Sequence, residues 1–545
     1  MRPFTGRRAG VLVPLFSLRT ERGWGVGEIP DIVPAAEWLA DAGHGVLQLL
    51  PIVDPAAGQE SPYFAQTAFG IDGLYLALDE VEDLAAAGGA GRVLGPDGLE
   101  ALARARAAAR VDHGTVRSLK ARALEAAFRR FLETEWRGKS GRAAALEEFR
   151  ARHEAWLDDY ALFRVLKERA GGAHWREWPA PLRDRDPAAL ARVRREALER
   201  FLFHVYVQWQ AEEQWERARG RAAALGVRLK GDLPFVVAWD SADVWERPHE
   251  FRHDASLGAP PDAFSADGQD WDLPVYRFDV MGRTGDEWFR ERGRRASELY
   301  DLVRVDHVVG LYRQWTCPRG AGARHGRFVP EAEAEQVLLG ERILRALAGS
   351  GDAELIAEDL GVVPDFVRAS LTRLGIPGYR VFRWEADRDF RAGGRPVYRD
   401  PARYPALSVA TTGTHDNEPL AEWWEALDAE TRRAVLAIPG LGGLRERHGG
   451  DAGAAAPALA RFSPEVHDAV LGLLYASGSG LVVLPVQDVL GSRERVNTPA
   501  TVGPQNWTYR LPATLAELRG REPWRSRAAA LRELAARTGR LAMRP

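Results

Sequence analysis

The chain has 545 residues, of which 46% are hydrophobic and 28% are charged, and this composition excludes a mostly disordered protein. Its formal net charge of -3 at pH 7 gives no indication of nucleic acid or an acidic membrane surface as a partner. We expect a cytoplasmic protein, because the first residues lack a leader's long apolar region, no apolar stretch reaches the roughly 20 residues of a membrane helix, and a single cysteine, Cys317, excludes an internal disulfide.

Short apolar runs that end in polar residues recur along the chain, and amphipathic segments separate them. In chain order the runs are "GVLQLLP" at 45–51, "VRLKGDLPF" at 227–235, "LVRVDH" at 302–307, "ELIAEDL" at 354–360, "YRVFRW" at 379–384, "LSVATTGTHD" at 407–416 and "LVVLPVQD" at 481–488. This pattern predicts strands that alternate with helices. Continuous apolar strands are typical of a parallel sheet that is covered on both faces.

The fold predicted from this pattern is an α/β fold, a (β/α)8 barrel with helical insertions. Acidic residues stand where the apolar runs stop, and active-site groups of such barrels lie at the C-terminal ends of the strands. A doubly wound open sheet is the alternative, although no glycine-rich phosphate-binding fingerprint follows an early strand. Residues 86–200 are rich in Ala, Arg and Glu with helical spacing. We therefore expect 1–85 to begin the barrel, 86–200 to form a helical insertion, and 201–545 to complete the barrel with its substrate loops and a C-terminal helix.

The run "LVRVDH" places three polar residues, Arg304, Asp306 and His307, in a stretch that otherwise reads as a buried strand. Residues two apart on a strand face the same way, so Arg304 and Asp306 point to one face. An arginine beside an aspartate favours the ionised carboxylate that a nucleophile requires. In "LIAEDL", Glu358 also follows an apolar run, and desolvation there would keep it protonated as a general acid. Two carboxylates in unlike environments form a glycoside-cleavage pair, about 5 to 5.5 Å apart in a retaining enzyme.

A third acid, Asp416, follows another strand end beside His415. Together with His307 and Glu358 these two residues could also form a mixed nitrogen and oxygen metal site, which leaves a metal-dependent barrel hydrolase or isomerase as an alternative. No His-x-x-x-His or paired-cysteine spacing accompanies them, and the sequence contains no Gly-x-Ser-x-Gly, P-loop or HExxH motif. We expect neither a metal nor a cofactor.

The segments that carry these residues resemble the 4-α-glucanotransferases of the amylomaltase, or disproportionating enzyme, type, which are relatives of the α-amylases. "RVDHVVG", "AEDLG" and "GTHDN" occur in the order and at the barrel positions of that family. Further similar segments are "SPYFAQTAF" at 61–69, "KGDLPFVVAWDSADVW" at 230–245, "GAPPDAFSADGQDWDLPVY" at 258–276, "IPGYRVF" at 376–382 and "RVNTP" at 495–499. The resemblance extends from about Gly10 to Arg510 and is weak across the helical insertion and across 420–460.

The resemblance implies that Asp306 is the nucleophile, Glu358 the acid/base, and Asp416 the acid that stabilises the transition state through sugar hydroxyls. Arg304 would orient Asp306. The implied sugar-binding residues are Tyr63, Asp240, Gln269, Trp271, His307, His415 and Asn497. In that family Tyr63 would stack on the sugar at the cleavage point, where the two histidines also bind. Gln269 and Trp271 would line the acceptor side, and Asn497 would close the donor side.

Two positions depart from the family's pattern. Ala263 stands where the smaller bacterial enzymes usually carry an aromatic residue, and Asp272 stands where glycine is common. A less covered intermediate would pass more often to water. The sequence thus predicts a retaining 4-α-glucanotransferase that acts on α-1,4-glucans and maltooligosaccharides, with some hydrolysis beside transfer. An α-glucan hydrolase is also consistent with these residues, and so is a non-catalytic glucan-binding protein.

Overall fold

The computed structural model describes residues 4–56, 58–261, 266–389, 394–499 and 501–542. Its strands in chain order are Arg8–Leu12 (β1), Val46–Gln48 (β2), Arg228–Leu233 (β3), Phe251–Ala259 (β4), Gln269–Tyr276 (β5), Leu302–Val305 (β6), Gln314–Pro318 (β7), Arg327–Val329 (β8), Glu354–Ala357 (β9), Gly378–Val381 (β10), Ala386–Asp389 (β11), Arg395–Tyr398 (β12), Ser408–Thr411 (β13) and Leu481–Pro485 (β14).

The α-helices of the described residues are Ile32–Asp41 (α1), Glu82–Ala86 (α2), Gly89–Ala107 (α3), His113–Phe131 (α4), Gly141–Arg152 (α5), Glu154–Arg169 (α6), Ala180–Arg183 (α7), Pro187–Glu196 (α8), Leu198–Ala224 (α9), Ala242–Glu246 (α10), Phe278–Met281 (α11), Glu287–Leu299 (α12), Val309–Tyr312 (α13), Glu333–Ala348 (α14), Asp365–Leu374 (α15), Leu420–Ala426 (α16), Ala429–Leu436 (α17), Gly442–Arg447 (α18), Ala452–Ala458 (α19), Pro464–Tyr475 (α20), Val486–Leu490 (α21), Leu515–Gly520 (α22) and Trp524–Arg537 (α23). In these ranges, every helix is too short or too polar to span a lipid bilayer.

Eight parallel strands form the central sheet, in the order β10-β13-β14-β1-β2-β3-β6-β9. The amide of Ala357 donates a hydrogen bond of 2.9 Å to the carbonyl oxygen of Pro377, just before β10. This bond joins the two ends of the sheet, so the strands follow one another around a barrel in chain order. The predicted (β/α)8 barrel is therefore confirmed, and the open doubly wound sheet is wrong.

The barrel strands form where the sequence has short, continuous apolar runs. All five residues of β14 are buried, as are all four of β6 and of β9, because side chains on one face fill the barrel and those on the other pack under helices. Each of the seven predicted runs overlaps one barrel strand. The eighth strand, β1, lies in "RAGVL" and was not among the predicted runs.

Two inserted sheets extend the barrel on the side where the strands end. The strands β5, β4, β7 and β8 form an antiparallel sheet in that order, and β11 pairs with β12. The side chain of Gln314 joins β5 to β7, because its Oε1 accepts from the amide of Tyr276 at 2.9 Å and its Nε2 donates to the carbonyl of the same residue at 3.2 Å. The side chain of Gln314 therefore links two strands of the larger sheet that do not pair with each other.

Helices α2 to α9 fill the chain between β2 and β3. Helix α9 continues across residue 200, the predicted end of the helical insertion, and the predicted domain boundaries stay predictions. Two glutamines of α9 hold the chain that follows β2. Gln208 accepts from the amide of Ile71 and donates to its carbonyl, both at 2.9 Å, and Gln214 does the same for Ala77. This double hydrogen bonding satisfies both backbone groups of a residue that no strand pairs.

At the N-terminal end of the barrel a buried carboxylate joins three strands. Glu354, the first residue of β9, is 6% exposed. Its Oε2 lies 2.7 Å from Nη2 of Arg8 in β1, and its Oε1 lies 2.7 Å from Nη1 of Arg228 in β3. Charge-assisted hydrogen bonds of this kind are about twice as strong as neutral ones. The cluster closes the end of the barrel opposite the strand-end acids.

We predict that Glu354→Gln lowers the free energy of unfolding by about 1 to 3 kcal/mol, because it weakens two charge-assisted hydrogen bonds and leaves two partly buried cations without a counter-charge. Chemical denaturation of the purified protein measures the change. The matched control is Glu533→Gln, which removes a carboxylate 70% exposed and 3.7 Å from Arg537 and should cost less than about 0.5 kcal/mol. Equal changes in the two variants would contradict the stabilising role of Glu354.

Candidate active site

Acidic residues that follow three barrel strands meet at one mouth of the barrel. Asp306 follows β6 directly, Glu358 follows β9, and Asp416 lies five residues after β13. The backbone holds the first two in place. The amide of Asp306 donates to Leu233 in β3 at 3.1 Å, and the amide of Glu358 donates to Val305 in β6 at 3.0 Å. The parallel ladder thus continues past the strand ends and fixes both carboxylates relative to each other.

Asp306 is held by a buried arginine. Nη1 of Arg304 lies 2.9 Å from Oδ1 of Asp306, and the amide of Phe235 donates to Oδ2 at 3.4 Å. The same Nη1 is 2.7 and 2.8 Å from the two carboxylate oxygens of Asp232. Arg304 is 6% exposed, whereas the Asp306 side chain is 22% exposed. The arginine therefore contacts both carboxylates from inside the barrel and leaves Asp306 open to the mouth.

Glu358 is in a different electrostatic environment from Asp306. Burial raises the pKa of Glu358 to about 8, and the charge of Asp306 adds to this shift, while Arg304 and the amide of His307 oppose it. That amide donates to Oε2 of Glu358 at 2.7 Å. His307 adopts a left-handed φ of 42°, and burial lowers the pKa of its imidazole. Glu358 is therefore a protonated acid at neutral pH, beside a neutral histidine.

An aromatic wall lines the mouth on the side of β2 and β13. The ring of Tyr63 stacks on that of His415, with centroids 5.2 Å apart and planes 18° apart. Trp507 lies 6.0 Å from Tyr63 and 5.7 Å from His415. The Tyr63 hydroxyl donates to Oδ2 of Asp232 at 2.8 Å. Tyr63 is therefore tied to the same aspartate as Arg304, and its ring forms part of the aromatic wall.

Asp416 stands at the edge of this wall. Its Oδ2 lies 3.3 Å from Nε2 of His415, and its Oδ1 accepts a hydrogen bond of 2.6 Å from Nδ2 of Asn497. The side chain is 40% exposed. Each oxygen thus has a fixed partner, and the carboxylate remains accessible to hydroxyl groups of a ligand.

The first residues of β5 reach the site through His307. The ring of Trp271 meets that of His307 edge to face, with centroids 5.1 Å apart, and its Nε1 donates to Oε1 of Gln269 at 3.0 Å. Asp272 has a φ of 48°, in the left-handed region where glycine is favoured and aspartate is tolerated. This backbone conformation is a physical reason for glycine at that position in the family. Ala263 lies outside the described residues.

Asp240 makes its contacts with the helical segment. Its Oδ2 lies 2.5 Å from Nζ of Lys167 in α6, and its Oδ1 accepts from the amide of Trp175 at 3.3 Å. The structure therefore brings the other predicted site residues into one contact network around Arg304, Asp306 and Glu358, while Asp240 is tied to a separate element.

Two residues of the site were missed by sequence reasoning. Asp232 lies in β3 within "KGDLPF" and has the same signal as Asp306, an acid inside an apolar run, so it could have been found. Trp507 has no such signal. It reaches the wall through a left-handed turn with a φ of 60°, a conformation that the local sequence "PQNWTY" does not indicate.

The histidines and acids of the mouth are arranged differently from the ligands of a metal site. Across the described ranges, no group of three or more His, Cys, Asp or Glu side chains is arranged to hold a metal ion. His307 turns its ring toward Phe235 and Trp271, and His415 turns toward the aromatic wall. That no metal takes part stays a prediction.

Comparisons with known proteins agree with the geometry of the site. Residues 13–515 match the family described as 4-alpha-glucanotransferase. A 4-alpha-glucanotransferase of Thermus thermophilus is 34% identical over 516 residues, covering 92% of this chain and 93% of that protein. One from Chlamydia pneumoniae is 29% identical over 525 residues, covering 94% and 93%. The amylomaltase of Streptococcus agalactiae, solved in complex with acarbose, aligns with a TM-score of 0.79 and 26% identity, covering 98% of this chain and 99% of that one. The resemblance seen in the motifs is confirmed, and this chain belongs to the 4-alpha-glucanotransferase family.

Proposed function

We propose that this enzyme transfers α-1,4-glucan segments by a retaining mechanism in which Asp306 is the nucleophile and Glu358 is the acid/base. The observation that supports these roles is the contrast between the two carboxylates. Asp306 is paired with Arg304 at 2.9 Å, whereas the pKa of Glu358 is raised to about 8 by burial and by the charge of Asp306. A nucleophilic carboxylate and a protonated acid are the two groups that retaining cleavage needs.

In the first step, the proton of Glu358 passes to the glycosidic oxygen while Asp306 attacks the anomeric carbon of the donor sugar. The bond to the leaving glucan breaks, and a glycosyl ester forms on Asp306. The ester carries no negative charge, so the contribution of Asp306 to the raised pKa of Glu358 disappears. Glu358 is left as a carboxylate, which is the form needed for the next step.

In the second step, Glu358 accepts the proton of the 4-hydroxyl of an acceptor glucan or glucose as that oxygen attacks the anomeric carbon. Asp306 leaves as a carboxylate beside Arg304. Two displacements at the same carbon restore the α configuration. Water in place of the acceptor would give hydrolysis through the same groups, but the 4-alpha-glucanotransferase family and relatives do not favour an α-glucan hydrolase.

The remaining site residues are proposed to hold the glucan. Tyr63 packs on the apolar face of the sugar at the cleavage point, and Asp416, held by Asn497, accepts hydrogen bonds from its hydroxyls. Trp271 and Gln269 are proposed to line the acceptor side, and the support for this is that the ring of Trp271 contacts that of His307, whose amide donates to Glu358. An acceptor held in this position has an orientation advantage over water. The predicted sugar contact of Asp240 and the predicted cytoplasmic location both stay predictions.

We predict that Asp306→Asn lowers kcat for maltotriose by several orders of magnitude, because removal of one member of a catalytic unit removes most of its effect. The amide is isosteric, so the melting temperature should remain close to that of the unchanged enzyme. Asp254→Asn is the control, since Asp254 is an exposed partner of Arg252 outside the mouth. Full activity in a folded Asp306→Asn enzyme would rule out the proposed nucleophile.

We predict an alkaline limb near pH 8 in the pH profile of kcat/KM. The pKa of Glu358 is raised to about 8, so the proton needed by the leaving group is present below that pH and is lost above it, by about tenfold per pH unit. An α-maltosyl fluoride donor tests the assignment, because fluoride leaves without a proton and the alkaline limb should weaken. If the alkaline limb of the pH profile has the same position and depth with maltotriose and with α-maltosyl fluoride, Glu358 is not its source.

We predict that maltotriose alone yields glucose and longer maltooligosaccharides while the number of reducing ends stays constant. Each transfer breaks one α-1,4 bond and forms another, whereas each hydrolysis adds one reducing end. Chromatography of the products together with a reducing-end assay separates the two outcomes. If the number of reducing ends rises in step with the consumption of maltotriose, the enzyme is an α-glucan hydrolase and not a transferase.

A further inference from the structure

Tyr63 is carried by an irregular hairpin, described over residues 52–56 and 58–72, which we name the Tyr63 hairpin. Isolated bridges join Val53 to Ile71 and Pro55 to Ala65. Further hydrogen bonds run from the amide of Asp54 to Gly70 at 3.1 Å, from Gln66 to Asp54 at 2.9 Å, and from Asp72 to Ile52 at 2.8 Å. These bonds join the two sides of the hairpin on either side of Tyr63.

The base of the Tyr63 hairpin rests on α6 through one carboxylate. Asp54 is 6% exposed. Its Oδ2 accepts from the hydroxyl of Tyr160 at 2.7 Å, from Nη1 of Arg164, and from Nε2 of Gln66 at 3.0 Å. Gln66 stands three residues after Tyr63 and is bonded to Asp54 through both its amide and its side chain. Contacts therefore lead from Arg164 through Asp54 to Gln66, which the backbone joins to Tyr63 three residues earlier.

A second helix holds the other side of the hairpin base. Both oxygens of Asp72 contact the guanidinium of Arg117 in α4, at 2.9 and 2.6 Å. Asp72 is 3% exposed. Bidentate pairs of this kind fix the orientation of both side chains as well as their separation. The hairpin is therefore anchored on the helices between β2 and β3 through two buried carboxylates.

Helix α6 also supports Asp240. Lys167, whose Nζ lies 2.5 Å from Oδ2 of Asp240, stands three residues after Arg164. Residues three apart lie on neighbouring positions of one helix face. The same turn of α6 therefore holds the Tyr63 hairpin and the segment that follows β3.

We propose that Arg164 is a positioning residue for glucan transfer, acting through Asp54 on the Tyr63 hairpin and so setting where Tyr63 stacks on the sugar. This inference rests on the proposed function, since it requires Tyr63 to contact the sugar at the cleavage point. Tyr63 is otherwise tied to the barrel through its hydroxyl bond to Asp232. Through Asp54, Arg164 would hold the backbone that carries Tyr63. The held backbone and the bonded hydroxyl together would set the plane of the Tyr63 ring.

The test is a paired variant, Arg164→Met with Asp54→Asn, which removes the contact without leaving a buried unpaired charge. With maltotriose, kcat should fall by about tenfold to a hundredfold, because a small displacement of a positioning group has an effect of this size. The paired variant is then combined with Tyr63→Ala. In that combination the additional loss should be less than about twofold, since contacts that act through one residue are not additive.

Two further variants separate positioning from general stability. Arg164→Lys keeps a cation beside Asp54, so its kcat should be close to that of the unaltered enzyme. If the paired variant does not fold, the kcat of Arg164→Lys is measured in its place. The matched control is Arg150→Met with Asp158→Asn, which removes an ion pair with contacts of 2.6 and 2.7 Å between α5 and α6. Its kcat should match that of the unchanged enzyme.

Several outcomes would overturn the proposal. An unchanged kcat in the folded paired variant, an equal loss with and without Tyr63→Ala, or an equal loss in the control would each show that Arg164 does not act through Tyr63. A Tyr63→Ala enzyme with full activity would have the same consequence. If the enzyme without substitutions hydrolyses maltotriose and does not transfer, the proposed function is refuted instead. The kcat values of the variants would then describe hydrolysis.

Discussion

The contact of Arg304 with two carboxylates is the interaction on which the site depends. One nitrogen of its guanidinium lies within 2.9 Å of oxygens from both Asp232 and Asp306. Without this cation, two acids would face each other inside the barrel, where each charge is costly to desolvate. With it, Asp232 serves as a fixed acceptor for the hydroxyl of Tyr63, and Asp306 is free to face the ligand. One buried cation therefore holds Asp306 directly and the hydroxyl of Tyr63 through Asp232.

The difference between the two reacting carboxylates follows from their position on the barrel. Both stand at strand ends, but Asp306 has Arg304 within contact distance, whereas Glu358 accepts from the backbone of His307. For Glu358 the desolvation by burial outweighs the nearby positive charge, so its pKa rises to about 8. The unlike environments of the two carboxylates thus come from their surroundings and not from their residue types, which have similar pKa values in water.

The barrel strands and the inserted segments contribute different kinds of residue to the site. The strands β3, β6 and β9 place the charged groups, since the parallel ladder fixes their spacing. The aromatic side chains come from inserted segments: Tyr63 from the hairpin after β2 and Trp507 from the chain after β14, both in the aromatic wall, and Trp271 from β5, beside His307. Loops vary in length and path more readily than strands. The barrel strands therefore supply the carboxylates of the site, and the inserted segments supply its aromatic side chains.

The sequence by itself determined the barrel and the three acids. Apolar runs that end in acids reveal Asp306, Glu358 and Asp416, because strand periodicity and the chemistry of a strand end are local properties of the chain. Motifs added the sugar-binding residues through family resemblance. Only the tertiary structure decided that Asp232 shares Arg304 with Asp306, that Trp507 completes the wall, and that Asp240 is held by Lys167. These contacts join residues far apart in the chain, such as Tyr63 and Asp232, which are 169 positions apart. No local pattern encodes such pairs, because they are fixed by how the barrel closes and by where its insertions pack.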